Sequence, residues 1–366
     1  LRGPADYLAG RIDAGDIPSA SWVVGDAEGV LDSGAAGRAV VVPEEVPATR
    51  ETLYDLASLT KPLVTSLLAL VLRREAGFDL EDPAARFLPE LGRMDKRGIT
   101  LRHLLAHTSG LPDWAPLYVR GESVAEYLRQ IREIDLEARP GARVRYSDLG
   151  YICLGAVLER ASGATLDALA ASLIMERCGA RACFRPGPAL LARVAATEAS
   201  CNYERRKAGP AAAAYARWRS GVIRGEVHDQ NAWAAGGVAG HAGLFGTAMD
   251  VHLIAREAIG PPSRILPEAD LALLREDQTG GLPEARSAAY RINRGPGGEA
   301  DPATAAGTAL PASAFGHNGF TGTSVFVDPE ARRVYVLLTN RIHPAVREEL
   351  DMNGLRREFH RLAAGA

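Results

Sequence analysis

The sequence predicts an α+β fold: an antiparallel sheet built from both ends of the chain and flanked by helices, with a mainly helical region inserted between its halves. Three observations lead there. Short apolar runs broken by turn residues occur near the N-terminus and again near the C-terminus. The span between them carries helical periodicity. The chain of 366 residues is 47% hydrophobic, enough for a full core as one large or two interleaved domains.

In chain order, residues 4–14 predict a short amphipathic helix. Ser21–Asp26 and Gly29–Gly34 read as two strands around an Asp-Ala-Glu-Gly turn. Residues 58–76, 101–107, 122–134, 148–161 and 165–177 read as helices divided by glycine and proline. Thr323–Val327 and Val334–Thr339, joined by Asp328-Pro329-Glu330-Ala331, predict a hairpin, and a last helix covers about 345–363. Two stretches read as surface insertions. Residues 202–221 mix Arg205, Arg206, Lys207, Arg217 and Arg219 with Tyr203, Tyr215 and Trp218, and are expected as a solvated loop. Residues 294–313, rich in Gly, Pro and Ala, are expected as a flexible one.

The net charge of −3 gives no case for binding nucleic acid or an anionic membrane. Cys153, Cys178, Cys183 and Cys201 show no metal-ligand spacing and are expected as buried free thiols. His103 and His107 have the i, i+4 spacing of a zinc pair, but position 104 is Leu, so the glutamate of H-E-x-x-H is missing and no metal or cofactor is expected. His107 is instead expected to tie down the turn after its helix. No stretch reads as a signal peptide or a membrane span in a sequence that begins at Leu1.

The chemistry-bearing signal starts from an imbalance. Of 42 basic residues only Lys61, Lys96 and Lys207 are lysines. One of them stands in Ser58-Leu59-Thr60-Lys61, the S-x-x-K spacing of serine acyl enzymes. An ammonium releases a proton when desolvated, whereas a guanidinium effectively never does. Lys61 is therefore suited to activate a serine hydroxyl. The run Pro62–Leu72 is apolar on nearly every face and too short for a bilayer, so it predicts a buried helix with Ser58 at its positive end. The plain alternative is a capping serine with a solvent-exposed lysine.

A second cluster is Tyr146-Ser147-Asp148, in the loop before a helix. A tyrosine hydroxyl beside an ammonium ionises more easily and can relay a proton; the alternative is a packing tyrosine and an Asp148 N-cap. A third is Gly316-His317-Asn318-Gly319-Phe320, ahead of the hairpin. Its glycines suit an edge strand approached by a substrate, or else a plain strand entry with a surface histidine. His241, in a glycine loop at 236–243, borders a pocket or is simply exposed.

In this order and together, the three clusters resemble the active-site elements of penicillin-recognising serine hydrolases, and the Tyr146 element resembles the class C β-lactamase branch with its D-Ala-D-Ala carboxypeptidases, D-aminopeptidases and esterases. His107–Pro112 and Gly240–Phe245 are similar to stretches of that branch as well. The resemblance implies Ser58 as nucleophile, Lys61 as its base or proton shuttle and Tyr146 as the proton relay. It implies an oxyanion hole from the N–H groups of Ser58 and Phe320, and substrate contacts from Asp148, His317, Asn318, Gly319 and His241. It also implies a sheet domain of residues 1–57 and 246–366, a helical domain of 58–245 and a site in the cleft between them. The expected partner is a small-molecule or peptide substrate, and the expected compartment the periplasm or cell envelope.

Two departures stand out. Asp148 replaces the usual Asn of the second element, and His317 and Asn318 replace Lys and Thr of the third. The latter removes a fixed cation, so neutral esters are expected to compete well with carboxylate-bearing β-lactams unless an arginine from 202–224 supplies the charge. The alternative to an enzyme is a non-catalytic binding protein of the same fold.

Overall fold

The structure is a computed structural model and describes residues 3–93, 95–260 and 262–365. The outermost limits of the expected sheet domain, residues 1 and 366, therefore lie outside the described residues. The described residues form ten strands: β1 (Ser19–Gly25), β2 (Val30–Val40), β3 (Val46–Pro47), β4 (Tyr54–Asp55), β5 (Cys183–Phe184), β6 (Leu244–Gly246), β7 (Arg291–Ile292), β8 (Phe315–Asn318), β9 (Ser324–Asp328) and β10 (Arg333–Thr339). Seven form an antiparallel sheet in the order β3-β2-β1-β10-β9-β8-β7, so the two chain ends meet where β1 pairs with β10, Trp22 opposite Leu337.

The twofold alternation of side chains across a strand explains why this sheet is covered on both faces. Ala20, Trp22, Val24, Phe326, Tyr335 and Leu337 point to one side, where they pack on Leu8 of the helix Pro4–Asp13 and on Leu355 and Phe359 of the helix Met352–Ala364. Val23, Val325, Val327, Val334, Val336 and Leu338 point to the other. There they join one buried cluster that continues through Leu63, Leu68 and Val71 to Leu154 and Ile174. The helical insertion thus shares its core with the sheet.

The small second sheet, β4-β6-β5, lies at the joins of the two regions. Tyr54 pairs with Gly246 and Asp55 with Phe245, which brings the chain's exit from the sheet region beside its return.

Both stretches expected as surface loops contain buried residues. The stretch 202–221 begins with a helix, Asn202–Ala208, and buries Glu204, Ala208 and Tyr215. Tyr215 and Trp218 pack on Tyr118, Tyr203 packs on Phe320, and Arg205 lies over Trp218. In 294–313, Ala305 and Ala306 are buried against the C-terminal helix, and Asn293 Nδ2 donates to the carbonyls of Gly307, Leu310 and Pro311. In both, small or aromatic side chains find partners far away in the sequence, which local composition does not reveal.

Candidate active site

Ser58 sits where β4 turns into a long helical segment. Asp55 Oδ1 accepts the Ala57 N–H at 2.8 Å, and Ala57 adopts φ 48°, a left-handed conformation uncommon outside glycine. The segment continues as a 3₁₀ turn (Ala57–Leu59), a π-helical stretch (Lys61–Ser66) and an α-helix (Leu67–Glu75). The expected helix over 58–76 is present, with wider turns at its start than the sequence predicts; π-helical turns are frequent at functional sites. Here Thr65 Oγ1 donates to Gly240 O at 2.7 Å, and Ser66 Oγ lies 2.9 Å from Tyr151 OH. Gly240 has to be glycine, since a Cβ there would stand 2.1 Å from Tyr151 O.

Lys61 has no solvent exposure, and its ammonium meets three acceptors: it donates to Ser58 Oγ at 2.9 Å and His241 O at 3.0 Å, and pairs with Asp148 Oδ1 at 2.7 Å. Nζ also lies 4.9 Å from the Tyr146 ring centre. Burial alone pulls the Lys61 pKa down, but the Asp148 carboxylate and Tyr146 outweigh it and leave the value raised. Desolvation, expected from the sequence to free the Lys61 proton, is thus opposed by the Asp148 carboxylate, which favours the ammonium.

The 145–148 loop is set by His107. The Arg145 N–H donates to His107 O, the Ser147 N–H to His107 Nδ1 at 3.0 Å, and the His107 ring lies between Tyr146 and Tyr151, 4.5 Å and 4.9 Å away. Burial first, then the charges of Arg286, Lys61 and His317, hold its pKa well below the ordinary histidine value. Ser147, not Asp148, caps the helix Asp148–Ser162, accepting the Gly150 N–H at 3.1 Å. Asp148 is thereby free to face Lys61. His103 caps a different helix, through Thr100.

The opposite wall is β8 and the turn after it. Thr321 Oγ1 donates to Asp55 O at 2.7 Å and Thr323 Oγ1 to Leu56 O at 3.2 Å, pinning this turn onto the residues that lead into Ser58. At Gly319 a Cβ would come within 2.8 Å of Leu56 O and 2.0 Å of Thr323 Oγ1, so only glycine allows the approach. Buried Arg356 donates to the carbonyls of Gly319 and Thr323, both at 2.9 Å, and Arg341 Nε donates to Phe320 O at 2.9 Å. His317 is buried, with its Nδ1–H directed to Asn318 O at 2.9 Å; burial, then Lys61 and Arg286, hold it well below the ordinary value, hence neutral.

Ser58 and Tyr146 lie between two cavities. The first, ≈ 390 Å³, is bordered by His317, Asn318, Gly319 and Phe320, and by four arginines, Arg286, Arg291, Arg341 and Arg356. Arg286 and Arg291 are paired with Glu284 and Asp301; among the described residues Arg341 and Arg356 meet no carboxylate. Sequence reasoning missed this cluster because arginine is everywhere in the chain, and the charge comes from beyond residue 280 rather than from 202–224. The second cavity, ≈ 210 Å³, is bordered by carboxylates and aromatics, including Asp148, Glu204 and Trp114. His241 does not reach either one as a side chain: it is 1% exposed, with Nε2 2.9 Å from Asp229 Oδ1, and it serves Lys61 through its carbonyl.

A serine touching a buried ammonium beside a tyrosine, on an α+β frame with a seven-stranded antiparallel sheet, is the arrangement that the sequence resemblance to penicillin-recognising serine hydrolases leads one to expect. The chain belongs to the beta-lactamase family, whose model matches residues 5–357. It is similar to a protein of Escherichia coli named "Putative D-alanyl-D-alanine carboxypeptidase", 29% identical over 84% of this chain and 73% of the relative. A protein of the same name from Salmonella agona is 28% identical over 95% and 85%. Among solved structures, the fold is shared with EstCE1, described as a hydrolase with promiscuous acyltransferase activity (TM-score 0.75, 22% identity, 98% and 97% covered). A penicillin-binding protein homolog from Caulobacter crescentus shares it as well (TM-score 0.74, 20% identity, 99% and 96% covered).

Proposed function

We propose that the protein is a serine acyl hydrolase that cleaves carboxylate-bearing amides or esters of the D-Ala-D-Ala peptide type through an acyl-enzyme on Ser58. The observation that carries this reading is Ser58 Oγ held 2.9 Å from the Lys61 ammonium at the edge of an arginine-lined cavity. Ser58 Oγ attacks the carbonyl carbon and loses its proton. In this reading the acceptor is Tyr146 as a phenolate beside the Lys61 ammonium; it takes the Ser58 proton and becomes the phenol, with the ammonium stabilising the negative charge as it moves from the phenolate to the substrate oxygen. The carbonyl oxygen, now anionic, is received by the N–H groups of Ser58 and Phe320. Tyr146 then returns the proton to the departing amine or alkoxide. A water, deprotonated by the same residue, releases the acid and restores Ser58.

Neutral His317 supplies no charge, and the guanidiniums of Arg341 and Arg356, which meet no carboxylate among the described residues, take over the role of carboxylate anchor. This supports carboxylate-bearing substrates over the neutral esters expected from the sequence. The test is kcat/KM for an acyl-D-Ala-D-Ala peptide, nitrocefin and p-nitrophenyl acetate, in wild type and Arg341→Gln. Loss of a charge-assisted bond is expected to cost the two carboxylate substrates about tenfold or more relative to the ester. An equal loss on all three would mean that Arg341 only supports the Phe320 turn.

A further inference from the structure

The second cavity contains a buried carboxylate with one oxygen unmet. Glu204, on the helix Asn202–Ala208, is 4% exposed, lines the cavity and has no hydrogen-bond partner at Oε2 among the described residues. Such groups are rare because an unmet buried charge is costly. Its neighbour Asp229 is already engaged, with Oδ1 2.9 Å from His241 Nε2 and 2.7 Å from the Ala232 nitrogen. Burial, then the Asp229 charge, push the Glu204 carboxyl up, and the opposing charges of Lys207 and Arg219 do not outweigh them. Trp114, Tyr203 and Phe320 add aromatic surface. An ammonium already rests there: Lys207 Nζ lies 4.2 Å from the Trp114 ring centre, the geometry of a cation–π contact.

We propose that this cavity is a subsite for a primary amine carried by the substrate, with Glu204 as its charge partner and the aromatics as its walls. The subsite rests on the Ser58 hydrolase reading and deepens it: a substrate spanning Ser58 places a carboxylate among the arginines and an ammonium beside Glu204. Lys207 occupies part of the same wall and competes with the incoming amine.

The test compares p-nitrophenyl 6-aminohexanoate with p-nitrophenyl heptanoate, matched in length and different in the terminal ammonium. The kcat/KM ratio is measured on the whole protein in wild type, Glu204→Gln and Lys207→Met. Wild type is expected to favour the amino ester by about tenfold or more, in keeping with a charge-assisted contact. Glu204→Gln should bring the ratio toward one, and Lys207→Met should raise it. A wild-type ratio near one, or one unmoved by Glu204→Gln, overturns the subsite. If Glu204→Gln does not fold, the direction of the Lys207→Met change decides: a rise supports the subsite, and no change or a fall overturns it. Turnover of the heptanoate without amine preference removes the subsite alone. No turnover of either ester and no acylation of Ser58 removes the hydrolase reading and the subsite with it.

Discussion

Ser58, Lys61, Tyr146 and Asp148 stand on one side of the cleft, and His317–Phe320 with Arg341 and Arg356 stand on the other. The first side offers side-chain chemistry: a hydroxyl, an ammonium, a phenol and a carboxylate, set by a buried apolar helix and by His107. The second offers backbone groups and fixed charge. Its turn is tied to the Ser58 segment by Thr321 and Thr323 and backed by two guanidiniums. Groups that handle protons need exact partners, whereas groups that hold a substrate need a shaped, charged surface. Substitutions on the first side should therefore act mainly on kcat, and those on the second on substrate choice and stability.

The sharpest way to break that comparison is at Lys61. Lys61→Ala and Lys61→Arg should both lower kcat by about 10²–10⁴-fold, because a planar guanidinium cannot replace an ammonium that meets three acceptors in a site closed to solvent. A Lys61→Arg enzyme with most of its activity would show that charge alone suffices.

Asp148→Asn sharpens the same side. Asp148 is the chief reason that the Lys61 pKa lies above its ordinary value despite burial. Without it the pKa falls, by about 1–3 units for a lost close counter-charge. If the ammonium is the working form, the alkaline loss of kcat should move to lower pH by that amount. A gain in activity at neutral pH would instead make neutral Lys61 the base.

On the second side, Arg356→Met leaves the carbonyls of Gly319 and Thr323 without donors. It should destabilise the fold by about 1–3 kcal/mol in thermal or denaturant unfolding. Unchanged stability would mean that the turn is held by its threonines alone.

The smallest effect concerns His360, whose Nδ1–H to Ala305 O bond ties the C-terminal helix to the wall of the arginine cavity. Burial holds its pKa at about 4. The unfolded chain takes up a proton near pH ~6.5 and the folded one only near 4, so stability falls as pH drops through that window. His360→Gln should flatten this acid loss by up to about 1 kcal/mol per pH unit. An unchanged slope would assign the loss to other groups.

How much of this was legible in the sequence follows the same division. The strands at both ends are local patterns, and the structure has them in one sheet; the Ser58–Lys61 spacing is local too, and the two side chains meet at 2.9 Å. Whether Ser147 or Asp148 caps the helix is not local: both residue types cap well, and the choice depends on Lys61, 87 positions earlier in the chain. The arginine cavity gathers positions 286, 291, 341 and 356 from separate turns and a helix, with no shared spacing. Glu204 and Lys207 lay in a stretch whose charge suggested solvent, because the packing of Tyr215 and Trp218 on Tyr118 that orders it comes from remote residues.

The central claim, an acyl-enzyme on Ser58, is tested most directly by intact-protein and peptide mass spectrometry after exposure to a fluorophosphonate or penicillin. The account predicts one adduct per chain, on the peptide containing Ser58, and none in Ser58→Ala, which should remain folded and lose turnover. An adduct on another residue, or hydrolysis that persists in Ser58→Ala, would contradict it; no adduct and no turnover in wild type would leave a binding protein of the same fold.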